Sequence, residues 1–309
     1  MHIKTKLVLA AAGLSLGLSQ PVLAAEPTDA ATFDLGDSGV VVSTDRPEQR
    51  KITKKERRAK QKIVRDLSRE VIGRQNAHKV VSRFYSPLCL AVAGVKKRHV
   101  ADFSDRILDN AEKAGVELAG ENCKPNALVI FTGQSRNELR EMRRKMPAFF
   151  GELGPDSFRA LVRSRDDAFA YRATSQLGGN GLPLVFASDE IPTQTDINSL
   201  RGLSRHGPQI EADVRSAVVL IDRDATEGMT ALQLADYASL RLLAPTAEIK
   251  DEIPGAPATI MSLFRDAWKA PRQLTEFDLA YLNSVYRIRP AYLVPNAIHS
   301  AVIDAVVSQ

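Results

Sequence analysis

A chain of 309 residues with 44% hydrophobic and 26% charged residues has an ordinary globular balance and room for one large domain or two small ones. It holds only two cysteines, Cys89 and Cys123, which excludes a zinc site built from the thiolates of one chain. The formal net charge of +5 is modest but concentrated in one segment, so it describes that segment more than the whole surface.

The first residues have the form of a secretory signal. Lys4 and Lys6 make a positive start, and Leu7 to Leu18 make an apolar stretch shorter than the roughly 20 residues of a membrane-spanning helix. Val22-Leu23-Ala24 is a small-x-small cleavage pattern. Residues 1–24 are therefore expected to be removed, leaving an exported chain that begins at Ala25, periplasmic or extracellular. An uncleaved anchor is the alternative. No later segment is long and apolar enough to cross a membrane. In an oxidising compartment Cys89 and Cys123 are expected to pair. Closing a loop of about 35 residues would stabilise the fold by roughly 3–4 kcal/mol. Two buried thiols are the alternative.

Residues 25–49 are rich in Ala, Asp, Thr, Gly and Ser and make a flexible leader, with GVVVS (Gly39 to Ser43) as a candidate short strand. The run RKITKKERRAKQK from Arg50 to Lys62 is densely basic, and Ile63, Leu67 and Val71 continue it at four-residue spacing. This predicts a basic amphipathic helix over 50–80. One function for the segment Arg50 to Lys79 is contact with an anionic membrane surface; the other reading is a solvated helix face. Nucleic acid is not expected as a partner, because the chain is read as exported and no aromatic side chains interleave the charges to stack on bases.

The folded domain is expected over 82–309, beginning near Ser82. Leu88 to Val92 is a buried strand, Val100 to Val116 a helix ended by Gly115, and Ala127 to Phe131 a second buried strand. Asn137 to Phe150 follows as a charged amphipathic helix. Ala168 to Ser175 and Leu184 to Ala187 are short strands around a Gly178–Gly181 loop, and Ser188 to Arg215 is irregular. Ala217 to Ile221 is the strongest strand of the chain. Strands alternating with helices predict a sheet with helices packed on it.

After that strand comes GMTALQLADYASLRLLAPT, Gly228 to Thr246, a central helix over about 230–243. Its surface is mostly Leu and Ala, yet Gln233, Tyr237 and Arg241 stack on one side, with Asp236 at the other edge of the seam. Thr230 and Gln233 have the spacing of a capping box, and Arg241 suits the C-terminal end of the helix dipole. The helix is thus expected to bury most of its surface and turn one polar stripe toward solvent or a cleft. TIMSLF, Thr259 to Phe264, follows a Pro/Gly-rich loop, and LTEFDLAYLNSVY, Leu274 to Tyr286, is a C-terminal helix over about 275–287 with Thr275 and Asp278 as its capping pair.

This succession resembles the C-terminal half of the metzincin-like zinc peptidases, which have a strand, a helix bearing HExxHxxG, a turn of the form S-I-M-x-Y and a closing helix of the form L-T-x-x-D-x-x-x-L-x-x-L-Y. Leu274, Thr275, Asp278, Leu282, Val285 and Tyr286 match the closing helix, and Ile260 and Met261 match the turn. The resemblance implies an α+β, zincin-like fold over Ser82 to Tyr286, a mixed sheet packed with helices, with Met261 in the position of the methionine turn. It does not carry the chemistry over. Gln233 stands at the first histidine, Leu234 at the glutamate base, Tyr237 at the second histidine, Leu240 at the glycine and Leu243 at the third ligand. Zinc needs about three nitrogen, oxygen or sulfur donors, and a peptidase also needs a base for the metal-bound water. No HExxH occurs in the chain, and the histidines are scattered. The resemblance thus implies a domain without a metal or other cofactor, in which Gln233, Asp236, Tyr237 and Arg241 line a cleft that binds a peptide or another envelope component.

Other chemistry is weaker. Asp222, Asp224 and Glu227 lack the spacing of a calcium loop, no GxSxG elbow occurs, and GGNG has no phosphate-loop lysine. Three functions follow: a non-catalytic binding or structural component of the envelope, a hydrolase with an unrecognised site, and a membrane-surface protein recruited by the basic helix. Metal ligands gathered from distant residues, such as His99 and His206 with an acid, remain a further alternative.

Overall fold

A computed structural model of the chain describes residues 53–73, 80–151, 153–164, 166–178 and 211–308. The signal, the leader with its GVVVS strand, and the Leu184–Ala187 strand lie outside the described residues.

The basic segment forms α1, Lys54–Ile72, shorter than the 50–80 expected. Thr53 and Glu56 close a reciprocal capping box at its start, and Gly73, with φ of 76°, ends it. Its stripe Val64, Leu67, Val71 and Ile72 is buried in the main core, so the folded unit reaches well before Ser82. β1 is Leu90–Ala93, α2 is Lys97–Ala114 and β2 is Ala127–Thr132. Gly94, just past β1, has φ of 80°, and a Cβ there would stand 1.9 Å from the Phe131 carbonyl oxygen of β2. Only glycine fits this close approach. Cys89 and Cys123 form a disulfide with Cα atoms 6.0 Å apart, tying the entry of β1 to the approach of β2.

The helix expected over Asn137–Phe150 is two pieces: α3, Ser135–Lys145, and a 3-10 turn, Pro147–Phe150. Pro147 lacks the N–H that would continue the helix and clashes with the preceding turn. α4, Pro155–Arg163, follows where no helix was expected. β3 is Ala168–Leu177, and β4 is Glu211–Asp222, so residues 211–215 of the stretch read as irregular already belong to the strongest strand, and its earlier residues lie outside those described. The sheet order is β1-β2-β4-β3, with β3 antiparallel to β4 and the other pairs parallel. This is a mixed sheet in an α+β fold.

β4 is buried on both faces, which explains its unbroken apolar run. Ala217, Val219 and Ile221 join the larger core with α2 and the C-terminal helices. Val218 and Leu220 join a smaller one with Leu139 and Met142 of α3, Phe150 and Val162. α5, Ala231–Leu243, follows β4 through a short 3-10 turn. α6 is Glu276–Arg287, and a final helix, α7, Pro295–Val307, packs against both α6 and α1. The sequence patterns did not single out α7.

Candidate functional site

α5 is where the polar seam meets the core. The predicted capping box forms: the Gln233 N–H donates to Thr230 Oγ1 at 3.2 Å, and the Thr230 N–H donates to Gln233 Oε1 at 3.0 Å. The Gln233 amide also donates to the Pro271 carbonyl at 3.1 Å. Gln233 is thus buried and occupied at both ends.

Asp236 is fully buried and gathers four donors. Arg106 of α2 grips it with Nε at 2.6 Å and Nη2 at 2.8 Å, Asn110 Nδ2 adds 2.7 Å, and the Leu274 N–H adds 2.8 Å. A bidentate guanidinium is the strongest partner a carboxylate finds among side chains. The attraction holds the Arg106 guanidinium pKa above its ordinary value, with the Asp236 hydrogen bonds as the main cause. Asp236 therefore clamps α2, α5 and the entry to α6 together.

Tyr237 is fully buried and donates its hydroxyl to Glu248 Oε1 at 2.6 Å. Its ring meets Phe264 edge-on, centroids 4.8 Å apart. Arg241, one turn on, reaches the same carboxylate oxygen with Nη2 at 3.1 Å and the Thr246 carbonyl with Nη1 at 3.4 Å. Its guanidinium carbon lies 5.7 Å from the centroid of the Tyr237 ring. Burial pushes the Tyr237 hydroxyl well above its ordinary pKa. Burial also raises Glu248, against the lowering effect of Arg241 and the Tyr237 hydrogen bond. Arg172 of β3, within electrostatic reach of Arg241, is lowered by burial to about 10. Arg241 Nε, Arg172 Nη1 and Thr246 Oγ1 are buried and have no hydrogen-bond partner among the described residues.

The carbonyls at the C-terminal end of α5 are also covered. Tyr286 donates to Leu243 O at 2.9 Å, and Tyr281 donates to Pro245 O. Burial raises both phenols. The turn ahead of α6 is clamped in the same manner. Met261 is buried in a 3-10 turn, Ile260–Ser262. Fully buried Asp278 accepts from the Ile260 N–H at 2.8 Å, the Thr275 N–H at 3.0 Å and the Thr259 hydroxyl. Burial pushes the Asp278 carboxyl up, and these bonds pull it back.

The four seam residues are therefore brought together on α5 but turned into the protein. A cleft of 320 Å³ lies elsewhere, between the first turn of α3 and the ends of β3 and β4, with Ser135, Arg140 and Asp222 in its wall. A second, of 210 Å³, lies between Leu67 of α1 and the loop from Ile249 to Lys269. None of Gln233, Asp236, Tyr237 and Arg241 lines either. Glu248, Arg106 and Asn110 complete the seam and carried no sequence signal, because each reaches it from another part of the chain.

The donor set at the positions that the resemblance would give to zinc ligands does not suit the metal. The Gln233 amide is held by Thr230 and Pro271, the Tyr237 hydroxyl donates to Glu248, and Leu243 has no donor atom. Among the described residues, no three His, Cys, Asp or Glu side chains are grouped to hold a metal. His99 is exposed and accepts from Arg98 Nε, and His206 lies outside the described residues. Asp222 accepts from the Asp224 N–H at 3.1 Å, the hydrogen bond of a strand-to-helix turn. Comparison with known proteins finds no matching family model, no matching characterised protein and no matching solved structure.

Proposed function

We propose that this chain is an exported envelope protein whose domain is zincin-like but holds no zinc, with a binding or structural role and a peptide or another envelope component as its partner. The observation that supports the reading is the Tyr237–Glu248–Arg241 trio: Tyr237, which the resemblance sets at the second ligand, gives its hydroxyl to Glu248, and Arg241 holds the same carboxylate oxygen. A phenol and a guanidinium bonded to one carboxylate make a buried hydrogen-bonding group in place of a set of metal ligands. Two further features support the reading. The order β4, α5, a methionine-bearing turn and a closing helix is that of the family described above. Asp278 ties the turn to the closing helix through the residues that match the family pattern.

Mass spectrometry of the mature protein, purified without chelators or a histidine tag, tests this. The expected result is zinc and other transition metals far below stoichiometric amounts, with no peptidase activity when zinc is supplied. A near-stoichiometric metal, retained through gel filtration and lost in Tyr237→Phe, would overturn it.

A further inference from the structure

Trp268 is the only tryptophan of the chain, and 92% of it is exposed. Tryptophan is highly buried on average, so a ring left in water asks for a partner. Trp268 lies in the loop between the Ile260–Ser262 turn and α6, and its ring sits 3.9 Å from where a Cβ on Gly228 would be. It therefore stands over the entry to α5, where Leu232 is 41% exposed. Arg265, Lys269 and Arg272 flank it in sequence.

α1 borders the same loop. Leu67 lines one cavity with Arg265 and Lys269, and Ile63 Cδ1 is 3.6 Å from the Cβ position of Gly255. α1 carries eight Lys or Arg side chains against three Asp or Glu, and every residue from Thr53 to Lys60 is exposed. Acids are present at the junction: Asp251 and Glu252 border the cavity, and Asp266 lies 3.5 Å from Lys269. No residue of the first two turns of α1 lines that cavity, and those turns carry Lys54, Lys55, Arg57, Arg58 and Lys60 with Glu56 as their only acid.

We propose that α1 and the Trp268 loop form one docking surface for an anionic lipid bilayer. Charge draws the protein in, because clustered Lys and Arg are attracted to acidic headgroups over a Debye length. Trp268 then settles at headgroup level, where an aromatic ring with one polar edge is best accommodated. α1 itself does not insert: its apolar stripe is already buried in the core, so it supplies charge and the loop supplies the apolar anchor. The surface is independent of the zincin-like reading and stands or falls separately.

The single tryptophan makes the test direct. Purified mature protein is mixed with vesicles of phosphatidylglycerol and phosphatidylcholine, or of phosphatidylcholine alone, and followed by co-sedimentation and tryptophan emission. The acidic vesicles are expected to bind it, shift the emission to the blue and expose the ring to quenching by brominated lipid, with affinity falling steeply as salt rises. Replacing Lys54, Lys55, Arg57 and Arg58 with Gln should weaken binding by about tenfold or more. These side chains are exposed, so circular dichroism should be unchanged. Trp268→Ala should keep salt-sensitive sedimentation but bind several-fold more weakly. Equal binding to neutral vesicles would overturn the proposal. So would sedimentation without an emission shift, or tighter binding to a soluble polyanion than to acidic vesicles.

Discussion

The two halves of α5 bury polar side chains to the same depth and satisfy them to different degrees. In the first half, Gln233 closes a capping box and reaches a carbonyl, and both Asp236 oxygens receive two donors each. In the second half, Tyr237 and Arg241 share one carboxylate, and Arg241 Nε has no partner among the described residues. A buried polar group is tolerated when hydrogen-bonded and costly when not. The first half is thus a structural clamp. The second carries the cost of one buried donor without an acceptor among the described residues, and its two side chains lean on a single oxygen of Glu248.

The largest effect should come from breaking the clamp. Asp236→Ala leaves the Arg106 guanidinium, the Asn110 amide and the Leu274 N–H without their shared acceptor. Removing one partner of such a pair costs about 3–5 kcal/mol, and because Arg106 is partly exposed the lower figure is expected. Urea unfolding monitored by circular dichroism checks it. A loss within about 0.5 kcal/mol, as at an ordinary surface site, would show that the clamp is not what holds α2 to α5.

A third buried polar contact sharpens the comparison, because it responds to pH. Ser68 of α1 and His299 of α7 lie 2.7 Å apart, Oγ to Nδ1, and both are buried. Burial lowers the His299 pKa to about 4, helped by Arg69 and Arg65. The folded value is below the unfolded one, so the unfolded chain binds the proton first. The stability contributed by neutral His299 is complete above about pH 6.5 and is lost as pH falls toward about 4. The expected loss over that window is about 2–3 kcal/mol. His299→Leu should flatten this part of the stability profile, and a slope unchanged in the variant would assign the acid sensitivity to other groups.

How much of this was legible in the sequence depends on how local each signal is. The boxes Thr230/Gln233 and Thr275/Asp278 set the starts of α5 and α6 because both partners lie within one turn. β2 and β4 were legible as apolar runs, and the disulfide as a pair of cysteines in a chain read as exported. The break at Pro147 and the polar start of β4 at Glu211 were not, since apolar periodicity runs on across the first and a half-buried strand pattern is weak at the second. The spacing of Gln233, Tyr237 and Arg241 gave the seam itself. Periodicity says which side of a helix is polar and leaves open what that side meets. The answer lies in Arg106 and Asn110, 130 and 126 residues from Asp236, and in Glu248, which sits in a loop without periodic pattern.

The smallest effect is the most informative about the second half of α5. Tyr237→Phe keeps the ring against Phe264 and removes only the hydroxyl that Glu248 accepts from. A hydrogen bond to a charged group contributes about 1.5–3 kcal/mol, and Arg241, which stays bound to the same oxygen, should hold the loss near the lower figure. The loss should also depend on pH. Burial already raises the Glu248 pKa, so its favourable contribution is present below the unfolded carboxylate value and is lost as pH rises through the folded one. Without the Tyr237 donor the folded value rises further, because the ionised form has lost a bond that stabilised it. The variant should therefore be destabilised more at pH 7 than near pH 4, and Glu248→Gln should remove that difference in a double-mutant cycle. A cost that does not vary with pH would show that the hydroxyl contributes equally whether Glu248 is ionised or neutral. The second half of α5 would then hold a structural hydrogen bond like those of the first half, independent of the charge on Glu248.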